Sequence, residues 1–126
     1  MYTNPYILYK VYRNALRKEY LGEFEELVLT MVAVLGQEAY GNAIVTEIKD
    51  RIGREVNLSA VHVTLYRLED KGYLTSEMGG ASNNRGGRRK LILCATKAGM
   101  EMLQAVKNQR QALLQLLPNL QFSGMI

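Results

Sequence analysis

A chain of 126 residues with 48% hydrophobic side chains has material for one compact domain and is too apolar to be disordered. Its single cysteine, Cys94, and single histidine, His62, leave no intrachain disulfide and no conventional zinc or acid–base cluster, and no apolar run nears the ~20 residues of a membrane helix. The net charge of +4 is modest; with no signal-peptide pattern at the N-terminus, the composition predicts a soluble, cytoplasmic, one-domain protein that is not an enzyme.

Residues 1–20 carry Tyr6, Tyr9 and Tyr12 with Leu8, Val11 and Leu16 at loosely helical spacing after Asn4-Pro5, together with Lys10, Arg13, Arg17 and Lys18 against Glu19. They read as a helix with an apolar, tyrosine-rich stripe, or equally as a basic arm. From Gly22 the pattern firms. Phe24, Leu27, Val28, Met31, Val32 and Leu35 form a buried helical stripe, Glu23, Glu25 and Glu26 suit the dipole of its first turn, and Gly36 stops it. A second helix runs from about Asn42 to Arg51, with Ile44, Val45 and Ile48 inward and Gly53 past its end. Ser59 announces a third, which carries Val61, Leu65 and Leu68 on one face and ends before Gly72.

The period then changes from helical to alternating. Residues 73–78 and 89–95 read as two strands around a glycine-rich tip, 79–88. Residues 79–97 hold five bases (Arg85, Arg88, Arg89, Lys90, Lys97) and no acid, whereas 21–58 hold seven acids against three bases. A basic stretch beside an acidic body marks a face offered to phosphates, although a solvated arginine-rich loop reads the same by charge alone. Last comes a long helix capped by Thr96. Positions 99, 103, 106, 110, 113, 117 and 120 make a heptad-like seam interrupted only by Arg110, Leu114 and Leu116 widen it, and Pro118 breaks the helix. Such a helix either folds back on its own core or pairs with a second chain; a small domain has little core left to cover it, which favours pairing.

The third helix is the candidate recognition helix. With Val61, Leu65 and Leu68 inward, its other face shows Ser59, His62, Val63, Tyr66 and Arg67, side chains able to donate, accept and stack in a major groove. An ordinary amphipathic surface helix would look similar. His62 has no second imidazole or thiol near it in sequence, so a hydrogen bond to DNA backbone or a structural contact is expected rather than a metal. The basic tip is not a nucleotide-binding loop, because no Gly-Lys-Ser/Thr follows and the next element is a strand. For catalysis nothing assembles: Ser59 has no visible base, Cys94 is expected buried and inert in its apolar strand, and Glu25-Glu26 and Glu69-Asp70 are expected on solvent faces.

In sequence the chain resembles the PadR family of bacterial winged-helix regulators. The likeness lies in Leu21-Gly22-Glu23-Phe24-Glu25, Tyr40-Gly41, Leu65 with Arg67-Leu68-Glu69, Lys71-Gly72-Tyr73, Gly87-Arg88-Arg89-Lys90, and Thr96 with Gly99, in that order over about residues 20–117. It implies a homodimeric transcriptional regulator, usually a repressor, gripping a near-palindromic operator with two recognition helices and two wings, and joined through the C-terminal helix. A tyrosine is usual where this chain has His62. Some members sense phenolic acids or flat hydrophobic drugs at the dimer interface; with no tryptophan and no aromatic residue in the last helix, a small-molecule inducer has no support here.

The resulting expectation is a mainly α fold with a small β-hairpin, a winged helix-turn-helix plus a C-terminal dimerisation helix. Its divisions are an N-terminal extension at 1–20, a DNA-binding domain at 21–95 and a dimerisation helix and tail at 96–126. Double-stranded DNA is expected to meet Tyr40, Gly41, Asn42, Ser59, His62, Val63, Tyr66, Arg67, Arg85, Arg88, Arg89 and Lys90. A second copy is expected to meet Leu103, Val106, Arg110, Leu113, Leu114 and Leu117. No cofactor, metal or membrane is expected. The rival readings are a winged-helix protein-interaction module that never touches DNA and an RNA binder using the Arg-Gly-Gly tip.

Overall fold

The computed structural model describes Pro5 and residues 21–78 and 91–118. The expectations for the rest of the N-terminal extension, for the wing tip and for the tail therefore lie outside the described residues. Helix α1 spans Glu23–Leu35, α2 Gly41–Ile52 and α3 Leu58–Asp70; strands β1, Leu74–Met78, and β2, Leu91–Ala95, follow, then helix α4, Lys97–Leu114. This is a mainly α, winged helix-turn-helix arrangement with a two-stranded hairpin and a C-terminal helix. Among the described residues no single helix is long and apolar enough to cross a membrane.

At the start of α1 the Gly22 N–H donates to Glu25 Oε1 (2.8 Å). The helix buries Val28, Leu29, Met31 and Val32, while Phe24, Leu27 and Leu35 pack at its margins. Leu29 lies outside the expected stripe yet is fully buried, because α2, α3, α4 and β2 all pack on α1. A helix enclosed on several sides buries more than one apolar stripe. Ile44 and Ile48 of α2 and Val61, Leu65 and Leu68 of α3 complete the helical core as their spacing predicts, and Val45 is half-buried.

The cap of α3 differs from expectation. Asn57, not Ser59, closes its N-terminus, with the Asn57 side chain accepting the Ser59 N–H (2.6 Å). Asparagine is as strong a cap as serine, and its place two residues earlier brings Leu58 into the first turn and puts the Ser59 side chain in solvent.

The antiparallel register of the two described strands runs from Leu74 opposite Ala95 to Met78 opposite Leu91. Opposed residues share a face, so Leu74, Ser76, Leu91 and Leu93 look toward the helices while Thr75, Glu77, Ile92 and Cys94 look away. Cys94 is accordingly exposed, against the expectation of a buried thiol. The Leu93 N–H donates to the Ala39 carbonyl (3.0 Å), tying β2 to the connection after α1.

Thr96 caps α4, accepting the Gly99 N–H (3.0 Å) while its hydroxyl donates to the Gly72 carbonyl (2.7 Å). Gly99 is buried on the Tyr73 backbone, and Met102 and Leu103 pack on the core. The first half of α4 thus folds back on its own domain, which has more surface to offer it than the sequence suggested. The helix ends at Leu114, short of the expected break at Pro118, and Leu113, Leu114, Leu116 and Leu117 are exposed.

Glu25 also departs from its expected solvent face. Both its carboxylate oxygens accept from Lys71 Nζ (2.8 and 2.9 Å), with 12% and 16% of the two side chains exposed. Lys71 follows the end of α3, so the pair clamps that end to the start of α1.

Candidate nucleic-acid interface

On the outward face of α3, Ser59, His62, Val63, Tyr66 and Arg67 are all exposed, opposite buried Val61, Leu65 and Leu68. Tyr66 leaves 68% of its surface in solvent. A large aromatic side chain so exposed on a helix whose other face is core has surface available for a partner.

The start of α2 lies against this face. A Cβ on Gly41 would stand 3.1 Å from His62 Cε1 and from Leu58 Cδ1, and 3.2 Å from His62 Nε2. Glycine therefore lets the two helices close up here, and the imidazole rests against the first turn of α2. Sequence reasoning placed Gly41 among the DNA contacts; the structure gives it this packing role as well.

Between the start of α2, the outer face of α3 and β2 runs a groove of about 200 Å³. Tyr40, Gly41 and Asn42 line it from α2, His62 and Tyr66 from α3, and Leu91 and Leu93 from β2. Two segments expected to contact DNA, far apart in sequence, are thus brought to one place. Ser59, Val63 and Arg67 share the α3 face outside the groove. Arg85, Arg88, Arg89 and Lys90 lie outside the described residues; Leu91, the next residue in sequence, stands at the groove.

Sequence reasoning missed Leu58, Leu65, Glu69, Leu91 and Leu93 in this lining, having read Leu65 as core alone. Glu69 is the one carboxylate among the lining residues, and it accepts from Ser76 Oγ (3.0 Å), joining α3 to β1. Its position one helical turn past Leu65 was the available signal; placing Leu91 needed the strand register.

The residues expected at a dimer seam divide in two. Leu103 packs on the core of its own chain, Val106 is half-buried, and Arg110 Nη2 donates to Glu26 Oε2 (2.8 Å). Leu113, Leu114 and Leu117 remain exposed.

Three solved structures set this frame among known proteins. A PadR-like transcription factor from Bacteroides fragilis superposes with a TM-score of 0.64 at 18% identity, covering 82% of this chain and 91% of that one. A PadR family regulator from Clostridium difficile gives 0.62 at 22%, covering 75% and 94%. One from Eggerthella lenta gives 0.59 at 26%, covering 86% and 87%. No curated protein is similar enough in sequence to count as a match. The sequence model of the PadR-like transcriptional regulators matches residues 28–111, from the middle of α1 almost to the end of α4. With that match spanning more than half of the chain over this helical frame and its hairpin, the chain belongs to the PadR-like family of transcriptional regulators, which bind DNA and are not enzymes.

Proposed function

We propose that this chain is a sequence-specific repressor that binds a near-palindromic operator as a homodimer. The observation that carries the reading is the convergence of Tyr40, Asn42, His62 and Tyr66 on one groove beside an exposed helix face. A helix entering the major groove needs donors and acceptors toward its N-terminal half, which Ser59 and His62 supply, and Tyr66, one turn beyond His62, adds a stacking surface. Val63 adds an apolar contact. Tyr40, Gly41 and Asn42 approach the adjoining backbone, and Arg67 with Arg85, Arg88, Arg89 and Lys90 neutralises phosphates and fixes register. Leu113, Leu114 and Leu117, exposed in the single chain, form the surface that meets a second copy.

The test is fluorescence anisotropy of the protein against duplex fragments from upstream of its own gene, from ~50 to ~200 mM salt. Tight binding to one fragment that weakens about 10³-fold or more across that range is the expected result. Replacing Arg88 and Arg89 together with alanine should weaken all fragments alike and flatten the salt dependence, whereas Tyr66→Ala should change the order of preference among them. Absence of binding to any duplex at the lowest salt would overturn the reading in favour of a protein-interaction module.

A further inference from the structure

We propose that DNA binding by this face is coupled to protonation of His62, so that a duplex is held more tightly as the pH falls from about 8 to about 6. The inference rests on α3 being the DNA-contacting helix and names how that contact is regulated. His62 is the only histidine in the chain. It is exposed on the outer face of α3 and lines the groove, where its Cε1 and Nε2 atoms stand 3.1 and 3.2 Å from the place a Cβ on Gly41 would take.

The groups around it set the charge balance. Tyr40 and Asn42 of α2, Tyr66 and Glu69 of α3, and the apolar Leu91 and Leu93 of β2 share the groove. Glu69 is the single carboxylate among them and already accepts from Ser76. Among the described residues no ion pair involves His62. A duplex brings phosphates to this place, each a full negative charge and a strong acceptor. An imidazolium makes a charge-assisted hydrogen bond there that a neutral imidazole cannot equal. A partner that prefers the protonated form must, by reciprocity, draw in a proton as it binds.

The proposal is tested on the full chain with a labelled duplex of mixed sequence, titrated at about pH 6 and about pH 8 at matched ionic strength. Wild-type affinity should rise on the order of tenfold toward pH 6. The log–log salt slope should steepen by about 0.9 per protomer, as one added phosphate ion pair requires; a merely structural role for His62 would not produce this. His62→Gln keeps hydrogen-bonding capacity without a charge, and its profile should be flat in pH whatever its absolute affinity. Cys94 sits on the far face of the hairpin, away from the groove, and Cys94→Ser should keep the wild-type profile. Equal affinity and equal salt slope at both pH values, or an unchanged profile in His62→Gln, would overturn the proposal while leaving the DNA-binding reading in place. No bound duplex at either pH at ~50 mM salt would overturn both.

Discussion

The three acids that open α1 each close on a different neighbour: Glu23 on Arg54, Glu25 on Lys71 and Glu26 on Arg110. As first-turn acids they suit the positive end of the helix, which is what the sequence displays. Their second role as clamps was not legible, because Glu25 and Lys71 are 46 residues apart and no local pattern pairs them. Burial pushes the Glu25 carboxyl up, but the Gly22 N–H, the Lys71 ammonium and the more distant Arg67 charge outweigh it, and the pKa is held below its ordinary value. A carboxylate with a folded-state pKa below the unfolded one stabilises the fold fully above the ordinary carboxylate range, and that contribution fades as pH falls through the folded value. Glu25→Gln should therefore cost about 1–2 kcal/mol at neutral pH and lose less further stability on acidification than the wild type. Urea unfolding at neutral and acid pH measures both, and parallel losses in the two proteins would show that the pair carries no ionic stabilisation.

At the scale of elements, α4 is docked by contacts that the sequence marked without explaining. Thr96 and Gly99 read as a cap and a small residue; in the fold Thr96 holds the Gly99 N–H and the Gly72 carbonyl, and Gly99 lies on the Tyr73 carbonyl. A Cβ on Gly99 would fall inside the contact shell of that backbone oxygen, which cannot rotate away. The atoms nearest to a Cβ on Gly41 would be side-chain atoms of His62 and Leu58. Gly99→Ala should consequently destabilise the protein by about 2 kcal/mol or more, and Gly41→Ala by clearly less. If their urea midpoints fell equally, tight packing at Tyr73 would not be what seats α4. The order of helices and hairpin was legible because caps, glycine stops and hydrophobic period are local signals. The face of Cys94 was not: Leu91-Ile92-Leu93-Cys94-Ala95 is apolar throughout and shows no alternation, so only pairing with Thr75 places the thiol outward. The cap of α3 failed for a related reason, since Asn57 and Ser59 are both good caps and the choice depends on where Leu58 packs. The candidate site was legible as two separate segments; that they share a groove depended on how closely Gly41 lets α2 approach α3.

For the whole molecule, the division of α4 decides what can hold two copies together. A continuous seam would use Leu103, Val106 and Arg110 along with the later leucines, but Leu103 is occupied by its own core and Arg110 by Glu26. What remains outward is the distal end, where Leu113, Leu114, Leu116 and Leu117 cluster within five residues. An apolar surface of this kind is stabilised by burial against a like surface, and two-fold association is the commonest way to provide one. Replacing Leu113 and Leu117 together with aspartate should dissociate the proposed dimer in sedimentation velocity while leaving the winged domain folded, because both side chains are exposed in the single chain. Arg110→Ala should behave oppositely: it removes a largely exposed ion pair within one chain, worth at most about 1 kcal/mol, and association should survive. The dissociated variant should also lose most of its affinity for a two-half-site duplex, since each copy then binds without the effective concentration supplied by its partner. A double-aspartate variant that sediments as a dimer would place the interface elsewhere, and with it the geometry that sets the spacing between the two copies of α3.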